Sequence, residues 1–163
     1  MGIERTRSAA AGRQGRRAAI SLVWLAGLAG CSTFDRDFRS ALGAHPDPEP
    51  LLGAWEGGWR SEVTGHTGGL RALITRAEKG GFRTRYRATY GCCFSFEYTV
   101  EMTVEPRGEA LGFRGSADLG WLAGGVYSYE GQVKGAEFTS AYRSKSDRGV
   151  FEMRRPSPPS PSP

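Results

Sequence analysis

"FRTRYRATYGCCFSFEYTVEMTVE", residues 82–105, decides the fold. Phe82, Thr84, Tyr86, Ala88 and Tyr90 alternate with Arg83, Arg85, Arg87 and Thr89; Phe94, Phe96, Tyr98, Val100, Met102 and Val104 alternate with Ser95, Glu97, Thr99, Glu101, Thr103 and Glu105. A period of two is that of a strand with one buried and one wet face. The alternation breaks only at Gly91-Cys92-Cys93, where glycine can take the positive φ a tight turn requires. A loop at 91–93 pairs Tyr90 with Phe94, keeps both aromatic faces inward and sets Arg87 opposite Glu97 and Arg83 opposite Glu101. The reading predicts a hairpin with a solvent-facing ion-pair ladder, each pair contributing about a few tenths of a kcal/mol and helping to hold register.

The same period extends outward from the hairpin. Strand-like runs cover Ala54–Ser61, Gly69–Ala77, Ala110–Asp118, Val126–Val133, Ala136–Arg143 and Gly149–Arg154, separated by glycine-rich, proline-bearing and charged turns. Eight strands with short connections predict an all-β, antiparallel up-and-down meander, and closure into a barrel removes the edges an open sheet would expose; a sandwich is the alternative, because periodicity does not register closure. The folded unit spans 53–155. Before it, residues 31–52 form a spacer in which Phe34, Phe38 and Leu42 lie on one face of a helical turn or two, ended by His45-Pro46-Asp47-Pro48-Glu49-Pro50. After it, "PSPPSPSP" at 156–163 is expected to be a disordered tail.

Residues 1–17 hold five arginines and one acid and precede the apolar run Ala18–Ala29, too short to span a bilayer; residues 1–30 read as a signal peptide. The chain has 22 basic and 17 acidic residues; without the signal's five arginines and Glu4 it has 17 and 16, a formal +1. The basicity belongs to the targeting segment, so nucleic acid is not an expected partner. Leu28-Ala29-Gly30-Cys31 resembles the lipobox of bacterial lipoproteins. That resemblance implies lipidation of Cys31 and anchoring in the cell envelope, with Ser32 after the cysteine implying the outer membrane, facing the periplasm. Several acyl chains hold a protein firmly, at about 0.8 kcal/mol per buried CH2.

Gly53-Ala54-Trp55, opening "GAWEGGW", is similar to the G-x-W signature on the first strand of lipocalins and related calycin barrels. The resemblance implies that Trp55 plugs the barrel floor under an arginine late in the barrel; Gly53, Trp55 and Arg154 make up the expected motif, with Arg155 the other candidate. The chain has no T-D-Y-like turn and no expected helix after the barrel, which brings its outline closer to avidin-like barrels, although no biotin-site residues carry over. G-x-W-x-G-x-W with Gly65-His66-Thr67-Gly68 and Leu70-Arg71 also resembles bacterial envelope lipoproteins.

The face predicted to be buried is heavily aromatic, including Phe82, Tyr90, Phe94, Phe96 and Phe151. Trp55, Trp59, Tyr86, Tyr98, Phe113, Tyr127, Tyr129, Phe138 and Tyr142 are the candidate lining of a cavity for a hydrophobic small molecule. The competing reading is a solid core, in which case the loops or outer face dock another envelope protein. Catalytic signals are thin. His45 lies among prolines, His66 lies in a glycine-rich connection, and neither a G-x-S-x-G elbow nor metal-ligand spacing occurs; no enzyme activity, cofactor or metal is expected. With Cys31 lipidated, Cys92 and Cys93 are the only other thiols. Adjacent Cα atoms lie about 3.8 Å apart, below the usual disulfide window of roughly 4.4–6.8 Å, so a plain turn is favoured over a strained vicinal bridge, an intermolecular disulfide or a metal site.

Overall fold

The computed structural model describes residues 32–43, 49–121 and 124–157. Residues 1–30, read above as a signal peptide, and Cys31, His45 and the tail from residue 158 lie outside the described residues. One helix, α1 (Phe34–Gly43), precedes eight strands: β1 (Gly53–Ser61), β2 (Thr67–Arg76), β3 (Phe82–Tyr90), β4 (Phe94–Arg107), β5 (Ala110–Asp118), β6 (Val126–Lys134), β7 (Glu137–Arg143) and β8 (Arg148–Arg154). Each strand pairs antiparallel with the next, and β1 pairs with β8 from Glu56↔Arg154 to Ser61↔Gly149, closing an up-and-down barrel. An eight-stranded antiparallel barrel is consistent with a calycin-like fold.

The opening hairpin has the expected register, Tyr90↔Phe94 through Arg83↔Glu101, with Gly91 at φ +60°. Arg83 lies 3.4 Å from Glu101 and Arg87 3.6 Å from Glu97 on the outer wall. The aromatic face needs correction at the tip. Tyr90, Phe94 and Phe96, expected inside, are 47%, 77% and 44% exposed. The cause is strand length: β4 pairs with β5 only from Glu101 onward and β5 ends at Asp118, level with Thr99, so the tip of the hairpin, residues 90–96, extends past it as a two-stranded ribbon.

The floor is built from Trp55. Its ring is fully buried and its indole Nε1 donates to the Leu51 carbonyl at 2.9 Å. The arginine over it is Arg155, not Arg154: the Arg155 guanidinium carbon lies 3.9 Å from the ring centroid, and the group donates to the Ala54 and Pro50 carbonyls at 3.1 and 2.6 Å. Alternation explains the difference. Phe151 and Met153 point inward on β8, so the next inward position is Arg155, while Arg154 is exposed opposite Glu56 and Glu137.

The spacer also gains a structural role. The Ser32 hydroxyl accepts the Phe34 amide at 3.1 Å, and Asp35 and Asp37 occupy the first turn, where a carboxylate complements the helix dipole. Phe34 and Phe38 are buried against Ala54 and Leu73, two apolar residues on the outer wall. Arg71 and Arg85 lie over the Phe38 and Phe34 rings at 5.3 and 5.5 Å. Arg85 also pairs with Asp37 at 2.8 Å, and Arg87 with Asp35. Part of the arginine ladder is therefore covered by the chain's own helix. The hydrogen bond from Arg85, followed by those of Thr33 and Arg36, holds the Asp37 carboxyl below its usual range.

Two outcomes check this packing. Trp55→Ala removes the floor plug and lowers stability by about 3–5 kcal/mol in urea denaturation, the usual loss for a large buried aromatic. Because the Asp37 pKa is depressed by folding, its contribution is present above the unfolded value and is lost as pH falls through the lower folded one. The protection of α1 amides against exchange, relative to the unfolded chain at the same pH, should accordingly fall below pH ~3.8 before that of the barrel amides.

Candidate functional site: a tyrosine-lined barrel mouth

Inward positions divide the interior into two layers. The lower layer is mostly apolar: Trp55 and Phe138 pack at 5.7 Å between centroids, and Phe113 and Phe138 at 4.7 Å, while the buried Thr84 hydroxyl donates to Met102 Sδ at 3.4 Å. The Phe113 ring fits because its neighbour is Gly131, where an added Cβ would fall 2.6 Å from Phe113 Cζ and 2.2 Å from the Thr139 carbonyl. Of the residues expected to line a cavity, Trp55, Phe113 and Phe138 thus belong to a packed floor.

The upper layer brings the tyrosines together. Rings follow one another from Tyr86 to Tyr98 (5.2 Å), Tyr129 (6.1 Å), Tyr127 (6.4 Å), Tyr142 (6.0 Å) and Phe151 (5.0 Å), and back to Tyr86 (5.6 Å). Shorter routes across the circuit join Tyr86 to Tyr129 at 6.2 Å and Tyr129 to Phe151 at 5.9 Å, so this level of the barrel is filled by rings. Two members of the circuit, Tyr98 and Tyr127, are half-buried and form its mouth side.

The hydroxyls of this layer have different fates. Tyr142 donates to Asp147 Oδ2 at 3.1 Å, and Ser61 donates to Asp147 Oδ1 at 2.7 Å, so one carboxylate ties the β7–β8 loop to the end of β1. The Tyr86 hydroxyl, on a residue with 0% exposure, has no hydrogen-bond partner among the described residues. Burial, reinforced by Tyr129, pushes the Tyr86 phenol far above its ordinary pKa, so it stays protonated and is a permanent donor. Burial does the same to Tyr98 and Tyr129, and burial together with Asp147 does so to Tyr142. An unpaired buried hydroxyl costs about 1–3 kcal/mol, which a phenylalanine at the same place would avoid.

Trp59 stands at one side of the mouth. Its indole Nε1 donates to the Thr89 carbonyl at 3.0 Å, passing over Gly68, where any Cβ would fall 2.5 Å from that nitrogen. Tyr90 stacks on Trp59 at 5.8 Å, and its hydroxyl is hydrogen-bonded to His66 Nδ1 at 2.9 Å. His66 thus braces the projecting ribbon. Cys92 and Cys93 are exposed free thiols on the ribbon tip, with sulfurs 2.7 Å apart. Sequence reasoning missed the Ser61–Asp147–Tyr142 tie, because Ser61 lies 86 residues from Asp147 and a polar contact of that kind carries no periodic signal. It also missed the docking of α1, for which the outward apolar Leu73 was the available clue.

Comparison with protein-family models, curated proteins and solved structures finds no match to this chain.

In the absence of added small molecules, Tyr86→Phe should raise stability in urea denaturation by about 1–3 kcal/mol, because it removes an unsatisfied buried group without changing the ring stack. A loss of stability would mean that the hydroxyl already has a partner in the empty barrel.

Proposed function

We propose that the protein is a lipid-anchored envelope protein whose barrel binds a hydrophobic small molecule at its mouth. The observation that carries this reading is the Tyr86 hydroxyl, buried within the tyrosine circuit and unpaired among the described residues. A barrel serving only as a solid body gains nothing from a hydroxyl there. A site that grips a mostly apolar molecule by one polar group requires such a donor, because sites of this kind combine apolar walls with a few placed polar atoms. The division of the interior supports the same reading: the floor is sealed by Trp55, Leu51 and Arg155, and the tyrosine hydroxyls gather in the layer toward the mouth.

The ligand class is an amphiphile with an apolar body and a hydrogen-bond acceptor. Its body lies between Trp59, Tyr98 and Tyr127, and its acceptor faces the tyrosine hydroxyls. Anchoring rests on the lipobox at Leu28–Cys31. Among the described residues no helix is long and apolar enough to cross a membrane. In the second reading the barrel core is solid and the protein docks another envelope component; the close ring packing of the lower layer favours it.

Gentle extraction from the native membrane, followed by mass spectrometry of everything that remains bound, tests both. The expected result is acylated Cys31 and a non-covalent small molecule that is depleted in Tyr86→Phe. A barrel that is repeatedly empty, together with a co-purifying protein, would replace the ligand reading with the docking one.

A further inference from the structure

Six large apolar side chains stand exposed among the described residues: Val63, Tyr90, Phe94, Phe96, Trp121 and Val126. All six lie at the mouth end, on or beside the β1–β2, β3–β4 and β5–β6 connections. Trp121 and Phe94 are 86% and 77% exposed. The sequences of the β3–β4 loop, residues 91–93, and the β5–β6 loop, residues 119–125, contain no charge. At the opposite end the connections carry Glu78, Lys79 and Glu109. An apolar rim confined to one end of a barrel is not the scattered exposure of an ordinary surface.

The position of the N-terminal chain indicates what covers this rim. The Ser32 hydroxyl donates to Glu97 Oε1 at 2.5 Å, and Glu97 lies on the ribbon three residues from Phe94, about 10 Å along the strand. Cys31 is bonded to Ser32, with its Cα about 3.8 Å from that of Ser32. A lipid on Cys31 would therefore leave the protein at the rim end and not at the floor. The rim chemistry agrees, since tryptophan and tyrosine are the side chains enriched at the headgroup level of bilayers. Beside the rim, the β7–β8 loop carries Lys145 between Arg143 and Arg148; Arg148 lies 3.5 Å from Glu62, and the Asp147 carboxylate is turned toward Ser61 and Tyr142. Cations at that height suit anionic headgroups.

We infer that the barrel rests mouth-down on the bilayer, with Phe94, Phe96, Trp121 and Val126 entering the headgroup–acyl boundary as a second attachment beside the lipid. The inference rests on the lipoprotein reading for the first attachment and for the end of the barrel it brings to the bilayer, while the exposed apolar rim stands without it. In this pose the tyrosine-lined mouth opens onto the acyl layer, and an amphiphile passes between membrane and barrel without crossing water.

Trp121 reports the pose directly. The full chain is purified from membranes, its mass records whether Cys31 is acylated, and it is combined with phosphatidylethanolamine–phosphatidylglycerol vesicles containing brominated phosphatidylcholine. The expected result is a blue shift and loss of tryptophan emission, with the quenched fraction absent in Trp121→Ser. Phe94→Ser and Phe96→Ser should each lower vesicle partitioning of the Cys31→Ser chain by roughly tenfold, with circular dichroism unchanged. Quenching in a wild-type chain whose mass shows Cys31 unacylated supports the rim and refutes the anchor. An acylated chain whose Trp121 is not quenched overturns the rim proposal and keeps the anchor. Shielding of Trp121 from aqueous iodide but not quenching by lipid bromine also overturns it, in favour of a protein cover.

Discussion

The seam between β1 and β8, paired from Glu56↔Arg154 to Ser61↔Gly149, turns a meander with two free edges into a closed wall, and every feature of the interior depends on that closure. Closure brings Trp55 from the first strand under Arg155 just after the last, 3.9 Å from ring centroid to guanidinium carbon. It also sets Ser61 beside Asp147, so the two ends of the barrel sequence are joined at the floor by an aromatic–cation contact and at the mouth by a carboxylate. Arg155 is held at low cost there, because its guanidinium donates to two carbonyls left free at the entry of the barrel.

Once the wall is closed, alternation leaves each inward position only two choices, to fill the lumen or to line it. The lower positions fill it with Trp55, Phe113 and Phe138. The upper positions carry tyrosines, whose rings pack as well as phenylalanine but bring hydroxyls into a space where each must find a partner. Tyr142 finds Asp147, and Tyr86 finds none among the described residues. The gradient from apolar floor to tyrosine-lined mouth gives the barrel a polarity that strand count alone would not confer, and the exposed ring of Phe94, Phe96 and Trp121 continues it outward.

Most of the fold was legible because a barrel wall is written in a period of two. The Phe82–Glu105 hairpin, its Tyr90↔Phe94 pairing and both ladder ion pairs follow from alternation across a glycine turn. The errors arise where alternation is blind to length and closure. It places Tyr90, Phe94 and Phe96 on the inward phase but does not reveal that the neighbouring strand stops short of them. The phase of Phe151 and Met153, carried one step further, selects Arg155 over Arg154. Leu73, apolar at an outward position, marks the landing site of Phe34 and Phe38. The tyrosine circuit was legible as a list of inward aromatics; its ring order and the isolation of the Tyr86 hydroxyl needed the strand registers.

The central claim is that the tyrosine-lined mouth holds a ligand through the buried Tyr86 phenol. The most direct measurement is the NMR signal of the Tyr86 hydroxyl proton, which burial should keep in slow exchange with water, followed while an extract of envelope lipids is titrated into the protein. The account predicts a downfield shift of that proton as an acceptor reaches it, accompanied by shifts in the Tyr98 and Tyr129 rings. Unchanged Tyr86, Tyr98 and Tyr129 signals at saturating extract would contradict it.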